Sequence, residues 1–227
     1  MTKRYGQFCP VAKTAEIVCE RWTLLIVREL LWGCERFNEI QRGLSQISPT
    51  LLARRLRELE DAAILYREPA PNGQGSIYRL TEAGEELKPL VELAGEWGQQ
   101  YMSERIDAGD LDAGLLMWDM HRQLQVESFP LSLAAVHFHY SDAPSDQRHW
   151  WLLVRRNRVE LCTSEPGRAP DLYLVTNLRT MIEVWLGRRC LRAALSADSI
   201  RLYGDPALKR SIDQWLGRST FAADMTA

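Results

Sequence analysis

Length, composition and charge narrow the class of protein. The 227 residues, 46% of them hydrophobic, supply enough core-forming material for one large or two modest domains. The formal net charge is −2 and the charged residues divide evenly on either side of Arg105, so bulk charge does not indicate nucleic-acid binding. The sequence contains neither an apolar run of about 18 residues nor a signal-peptide pattern, so we expect a cytoplasmic protein that does not associate with membranes.

Apolar residues at helical spacing open the chain. The stretch PVAKTAEIVCERWTLLIVRELLWG predicts two helices, roughly 10–19 and 22–32, with the second ended by Gly33. The stretch RFNEIQRGL predicts a short helix that buries Phe37, Ile40 and Leu44 and ends near Gly43. A tight turn, SQI, then leads to Ser48.

The stretch SPTLLARRLRELEDAAIL carries a clear helix start. Ser48 is a good N-cap, and Pro49 stands at the first helical position, where its missing N–H costs nothing. At about 100° per residue, one side of this helix is apolar and the opposite side is polar. The apolar side holds Leu52, Leu56, Leu59 and Ala63, and the polar side holds Thr50, Arg54 and Arg57. Alone this would be an ordinary surface helix, but after a short helix and turn it predicts a helix-turn-helix that enters the DNA major groove.

The next segment predicts a wing and a long helix. AILYREP and SIYRL are typical of strands, and the loop APNGQG joins them into a hairpin, which makes the motif a winged helix. TEAGEELKPLVELAGEWGQQYM predicts a helix capped by Thr81 and kinked by Pro89. Its apolar stripe is either a dimer seam or a surface that packs against the first helix. The stripe comprises Leu87, Leu90, Val91, Ala94 and Trp97.

On the second helix of the helix-turn-helix, the DNA contacts follow from residue chemistry. Arg54 and Arg57 are candidates for guanine O6 and N7, and Thr50 for a thymine methyl group or a phosphate. Ser48 and the free N–H groups at the helix start around Pro49 suit a phosphate. Arg55 lies on the flank, where it either reaches the DNA backbone or pairs with Glu58 or Glu60.

The wing offers further candidate contacts. Asn72 and Gln74 are placed to enter the adjacent minor groove, with Arg67 or Arg79 near its base. The alternative for the two arginines is a cross-strand surface pair with Glu68.

These segments resemble, in order, the HxlR-type winged helix-turn-helix transcription regulators, relatives of the MarR group. The motifs that carry the resemblance are CPVAK, RWTLLIVRELLWG, RFNEIQRGL, ISPTLLARRLRELE, YRLTEAGEEL and WG, across about residues 8–102. The resemblance implies a homodimer that binds double-stranded DNA at an inverted-repeat operator through its helix-turn-helix. One departure is Ala63, near which the family usually has Gly, so a slightly strained turn is expected.

Cys9 precedes Pro10 and would cap the first helix, where the helix dipole favours a thiolate. The resemblance implies a possible oxidant or electrophile sensor at this cysteine, since some members of the family use one there. The alternative is a buried structural thiol. The five cysteines form no CxxC pair, so we expect reduced thiols and neither a metal site nor a cofactor.

Beyond the polar stretch around Gly109, the sequence predicts a separate α+β domain, which divides the chain into residues 1–107 and 108–227. LSLAAVHFHY, HWWLLVRRNRVELCT and PDLYLVT predict strands, and NLRTMIEVWLG, SIRLYGD and PALKRSIDQWL predict helix, strand and helix.

His137 and His139 share a strand face, which is more typical of surface or core residues than of a metal site. The sequence shows no catalytic motif, so we do not expect an enzyme.

The order of these elements resembles the sterol-carrier-protein-like fold over about residues 108–218. The resemblance implies an apolar cavity and, with it, a small apolar effector. Five tryptophans either line such a cavity or form plain core: Trp118, Trp150, Trp151, Trp185 and Trp215. The second functional hypothesis is therefore a lipid or small-molecule carrier whose winged helix mediates protein contacts.

Overall fold

The computed structural model describes residues 4–71, 73–102, 105–156 and 158–222. The chain folds into two compact units that divide between Glu96 and Trp97. The boundary predicted from sequence, after residue 107, lies further along the chain. None of the helices among the described residues has the length and hydropathy needed to cross a membrane.

The first unit is mostly helical and carries one antiparallel hairpin. Its elements are α1 (Pro10–Val18), α2 (Thr23–Leu31), α3 (Phe37–Arg42), α4 (Pro49–Asp61), β1 (Leu65–Pro69), β2 (Ser76–Leu80), α5 (Glu82–Glu85) and the start of α6 (Lys88–Tyr101). Ile26 and Val27 of α2, Ile40 of α3, and Leu52 and Leu56 of α4 are almost fully buried. The three helices therefore pack through the apolar sides that the sequence predicts.

Two local features near the wing differ from, or refine, the sequence prediction. The helix predicted from residue 81 onward is two helices, and Pro89 is the second residue of α6. A proline in the first turn of a helix has no intrahelical partner to lose, so it starts α6 and does not kink it. Ala63, after α4, has φ +55°, the left-handed conformation that favours glycine. The turn strain expected at this position is therefore present.

The second unit is an α+β domain with a mixed five-stranded sheet. Its strands are β3 (Leu133–Tyr140), β4 (His149–Arg155), β5 (Arg158–Cys162), β6 (Leu172–Thr176) and β7 (Ile200–Gly204), in the order β5-β4-β3-β6-β7. β3 and β6 are parallel, and the other neighbours are antiparallel. Its helices are α7 (Ala113–Gln123), α8 (Leu178–Trp185), α9 (Leu191–Ser196), α10 (Pro206–Arg210) and α11 (Ile212–Trp215). The sequence analysis missed α9 and predicted α10 and α11 as one helix.

One face of this sheet forms the core of the second unit. Val136, Phe138 and Tyr140 of β3 are fully buried in a cluster that includes Met117 of α7 and Met181 of α8. Four of the five tryptophans are buried: Trp118, Trp150, Trp185 and Trp215. Trp151 is half-buried on the opposite face, where its ring stacks on His137 at 4.7 Å between centroids. The structure thus favours plain packing for these tryptophans.

Candidate nucleic-acid interface

The helix-turn-helix consists of α3, the connection 43–48 and α4. Ser48 Oγ accepts a hydrogen bond from the backbone N–H of Leu51 at 3.3 Å, and Pro49 is the first helical residue. The helix start therefore forms as the sequence predicts. Ser48, Pro49 and Thr50 are all exposed, so the first turn of α4 faces solvent. Pro49 has no N–H, and the N–H groups of Leu51 and Leu52 donate to Ser48, so the N–H of Thr50 is the one that points out of the helix start.

The outer face of α4, defined by Thr50, Arg54 and Arg57, is exposed, whereas the leucine side is buried. The Arg54 side chain is 58% exposed, and its Nε lies 3.7 Å from Glu58 Oε1. Arg57 Nε donates to the carbonyl of Ala53 in its own helix at 3.3 Å, and no carboxylate of the described residues lies within ion-pair distance of it. Exposed ion pairs of this kind contribute about 0–1 kcal/mol, so both guanidiniums are available to another partner at little cost.

Arg55, in contrast, is 9% exposed and points away from the outer face. Its Nη2 donates to Glu20 Oε2 at 2.8 Å, and its Nη1 donates to Glu58 Oε2 at 2.6 Å. Of the two sequence-based alternatives, the structure shows the pairing with Glu58 and adds Glu20, which follows α1. Arg55 therefore joins α4 to the α1 end of the unit and is not among the exposed candidate contacts.

A buried glutamate supports the turn, and the sequence analysis missed it. Glu29 of α2 has no exposed surface. Arg28 donates to Glu29 Oε1 through Nε at 3.0 Å and Nη2 at 2.6 Å, and its Nη2 also donates to the Gly43 carbonyl at 3.1 Å. A Cβ on Gly43 would lie 2.0 Å from Glu29 Oε2. A larger residue at position 43 would therefore have to displace the buried Glu29 carboxylate from its bonds to Arg28. The sequence signal was one acidic residue within an apolar helix.

In the wing, the Arg79 guanidinium forms ion pairs with two carboxylates, those of Glu35 and Glu68. Its Nη1 lies 2.6 Å from Glu35 Oε1 and its Nε 2.7 Å from Glu68 Oε1. The hydrogen bond to Glu68, and then the charge of Glu35, raise the pKa of Arg79. The structure therefore shows the pairing of Arg79 with Glu68 that the sequence offered as the alternative to a DNA contact, and it adds Glu35 as a second acid.

The remaining wing and turn candidates have different outcomes. Arg67 is exposed on β1, and Gln74 is exposed in the hairpin loop. Asn72 lies outside the described residues. Three further exposed polar residues, at the end of α3 and in the turn, were not predicted as contacts: Arg42, Ser45 and Gln46. Their position in a short polar turn immediately before a capped helix could have indicated them as candidate contacts.

Two cysteines of the first unit occupy different environments. Cys9 is half-buried at the N-cap of α1, and its side chain makes no capping hydrogen bond. Cys34 is buried, and its thiol lies 3.5 Å from Glu29 Oε2. Cys34 is therefore the structural thiol of this unit, and Cys9 lies nearer the surface.

Three histidines of the second unit, His137, His139 and His149, lie on the sheet face opposite the core. His137 Nε2 and His149 Nδ1 are 3.0 Å apart, and His139 stacks on His149 at 4.7 Å between ring centroids. Burial, followed by the neighbouring His149 and His139, lowers the pKa of His137 to about 4. Among the described residues, no three His, Cys, Asp or Glu side chains are arranged to hold a metal ion.

Comparison with known proteins bears on the first unit. The sequence pattern of the HxlR-like helix-turn-helix family matches residues 17–106. The uncharacterized HTH-type transcriptional regulator YvaP of Bacillus subtilis is 35% identical over 99 residues, which cover 43% of this chain and 92% of YvaP. The regulator Rv3095 of Mycobacterium tuberculosis is 40% identical over 93 residues, 40% of this chain; the chain spans 58% of that relative's length.

Solved structures include the reduced form of the transcriptional regulator YodB from B. subtilis. It is 35% identical, covers 44% of this chain and all of the YodB chain, and has a TM-score of 0.38. The five-stranded sheet lies beyond the matched residues 17–106. Because the alignment with YvaP spans nearly that whole relative at more than 30% identity, the chain belongs to the HxlR-like helix-turn-helix family.

Proposed function

We propose that this protein is a homodimeric transcription regulator that binds a specific inverted-repeat operator. The observation that carries the proposal is the outer face of α4. It presents two arginines at the surface of a capped helix whose leucine side is buried. Residues on such a face reach base edges when the helix lies in the major groove.

The roles within the interface follow from these environments. Arg54 and Arg57 have the guanidinium geometry for guanine O6 and N7, and Thr50 suits a thymine methyl group or a phosphate. The Ser48 hydroxyl and the backbone N–H of Thr50, on either side of Pro49, suit a phosphate. Arg67 and Gln74 of the wing contact the neighbouring minor groove, which positions the protein and adds little sequence information.

An exposed apolar stripe on α6 supports the homodimer. Leu93 is 64%, Trp97 53% and Tyr101 57% exposed, and the spacing of four residues places them along one side of the helix. Leu90 lies on the same side and is 38% exposed. A second copy that packs this stripe in a two-fold arrangement removes it from water and provides one α4 for each operator half-site.

Fluorescence anisotropy on DNA from upstream of the protein's own coding region tests the DNA-binding proposal. We expect saturable binding that weakens steeply with salt and exceeds binding to scrambled DNA of the same length. The double variant Arg54→Ala, Arg57→Ala abolishes the preference, whereas Arg210→Ala, a charge change in α10, does not. Equal affinity for the two DNAs would contradict operator recognition.

Sedimentation tests the homodimer. The wild-type chain sediments as a dimer at micromolar concentration, and Trp97→Glu shifts it to a monomer that binds the operator more weakly. Lys88→Glu, an exposed change at the start of the same helix, is the matched control. A wild-type monomer with intact operator binding would remove the dimer from the proposal.

We further propose that the second unit, which resembles sterol-carrier-like domains in the order of its elements, binds a small effector that alters operator affinity. Such coupling typically amounts to about 1–3 kcal/mol, and it is reciprocal. Saturating operator DNA must therefore change the effector's affinity by the same factor. If the second unit instead serves as a carrier, ligand binding and operator binding are independent.

Cys9 is the alternative sensor. Its half-buried position at a helix N-cap favours thiol chemistry over simple core packing. Hydrogen peroxide, which oxidises a thiol to a sulfenic acid and is itself reduced to water, weakens operator binding in the wild type, and Cys9→Ser removes the response while Cys19→Ser retains it. An unchanged response in Cys9→Ser assigns the chemistry to another residue.

A further inference from the structure

The second unit contains an open cavity of about 200 Å³ between the end of α8, the start of α9 and the residues that follow α11. Its floor is apolar: Val184 and Leu216 are buried, and Leu191 is half-buried. This cavity could not be predicted from the sequence, because its lining comes from three separate segments. None of the five tryptophans considered as cavity residues in the sequence lines it.

Arginines surround the opening. Arg189, Arg192 and Arg218 all line the cavity, against the single carboxylate of Asp213. Arg192 Nη2 pairs with Asp213 Oδ2 at 2.6 Å, and Arg189 Nε lies 3.3 Å from Glu183 Oε2. These two arginines are therefore already partly neutralised.

Arg218 differs from the other two. It is exposed, and within the described part of the chain no carboxylate lies within ion-pair distance of its guanidinium. The chain reaches it through Gly217, whose φ is +72° and where a Cβ would lie 2.5 Å from the Gln123 carbonyl oxygen. Both constraints favour glycine at position 217, and Arg218, the next residue, lines the cavity with an exposed side chain.

The size of the cavity limits what it accepts. An engineered protein cavity of about 150 Å³ holds one benzene molecule, so about 200 Å³ holds one ring or a short alkyl chain with a small polar group. A carboxylate is the group that matches a guanidinium through two parallel hydrogen bonds. An apolar floor with a cationic rim therefore selects an amphipathic anion.

We infer that this cavity binds a small organic monocarboxylate, whose apolar body contacts Val184, Leu191 and Leu216 and whose carboxylate pairs with Arg218. Such a carboxylate would be the effector of the function proposed above. Its binding in the cavity does not depend on that function, but its effect on operator affinity does. A fully apolar ligand would leave Arg218 without a carboxylate partner among the described residues. We therefore replace the apolar effector expected from the sequence with an anionic one.

Calorimetric titration of the full-length chain with benzoate and hexanoate tests the site, with benzamide as the neutral analogue of benzoate. We expect one saturable site per chain for the carboxylates and at least tenfold weaker binding of benzamide. Arg218→Met weakens benzoate at least tenfold, whereas Arg210→Met, the same charge change outside the cavity, leaves its affinity unchanged. Thermal melting checks that both variants fold.

A second pair of variants tests the location. Cys190 lines the cavity and is half-buried without a capping hydrogen bond. Cys190→Phe fills the space and abolishes benzoate binding, whereas Cys190→Ser retains it. Absence of saturable carboxylate binding, equal binding of benzamide, or equal losses in Arg218→Met and Arg210→Met would overturn the inference.

Operator affinity measured in the same samples separates this inference from the proposed function. Benzoate binding without a change in operator affinity supports the cavity assignment and removes the effector role. Operator binding with no carboxylate binding overturns the cavity assignment and leaves the DNA-binding function in place.

Discussion

The outer face of α4 and the inner side of the same helix-turn-helix use arginine in opposite ways. Outside, Arg54 and Arg57 are exposed; Arg54 lies 3.7 Å from Glu58, and Arg57 donates to a carbonyl of its own helix. Inside, Arg55 and Arg28 are largely buried and donate to carboxylates at 2.6–3.0 Å. Arg54 and Arg55 are neighbours in sequence, yet Arg54 is exposed and Arg55 is buried.

The environment of an arginine, and not the residue type, decides whether its charge stabilises the fold or remains exposed at the surface. A partly buried arginine with two acids holds helices together, and removing it leaves groups that were desolvated on folding without their partner. An exposed arginine contributes little to folding, so its loss is felt only when DNA is bound. Stability and binding measurements can therefore distinguish the two sides.

The largest effect is expected beneath the turn, in Gly43→Ala. The new Cβ would occupy the space of the Glu29 carboxylate, so the first unit loses about 3 kcal/mol of stability, the upper part of the range for overpacking. Gly98→Ala is the matched control, since its Cβ meets no atom within 4 Å and alanine is the better helix former. Urea denaturation measures both, and a Gly43→Ala variant as stable as the wild type would show that Glu29 moves aside freely.

On the outer face, Arg54→Ala should reduce discrimination by about 1–3 kcal/mol at one base pair of each half-site, because a bidentate contact to guanine is lost. Its unfolding free energy should stay within about 0.5 kcal/mol of the wild type, as is usual for exposed sites. Binding to a set of operators with single base changes measures the effect. A loss that is uniform over all sequences would make Arg54 a phosphate contact.

Arg55→Met gives the converse result. It keeps the aliphatic stem but removes the hydrogen bonds to Glu20 and Glu58, so we expect a stability loss of about 1–2 kcal/mol, reduced by the partial exposure of both acids. The folded fraction should retain the base preference of the wild type. Arg57→Met is the control, with the stability unchanged. A changed base preference in Arg55→Met would mean that Arg55 leaves its acids to contact DNA.

The smallest effect is expected in the wing. Arg79→Gln removes two exposed ion pairs that salt already screens, so stability should change little and least at high ionic strength. Because Arg79 is committed to Glu68 and Glu35, the dependence of log operator affinity on log salt should keep its slope. Arg67→Gln should lower that slope by about one if Arg67 contacts a phosphate. A reduced slope in Arg79→Gln would place Arg79 on the DNA.

The start and the buried side of α4 could be predicted from local sequence. Ser48 and Pro49 set the start of α4 through local capping, and the leucine spacing set its buried side, so the exposure of Arg54 and Arg57 followed from helix geometry alone. The left-handed turn at Ala63 was also a local property. These features depend on residues within about one helical turn of each other, so the spacing of residue types along the sequence is enough to predict them.

Only the tertiary structure decided which arginines are committed and where the cavity lies. Arg55 meets Glu20, 35 residues earlier in the chain, and Glu29 of one helix fills the space beside Gly43 of another segment. The parallel pairing of β3 with β6, and the gathering of Arg189 and Arg218 around one apolar floor, likewise join distant segments. Residue spacing along the chain does not predict such contacts, because they depend on how whole helices and strands pack against one another.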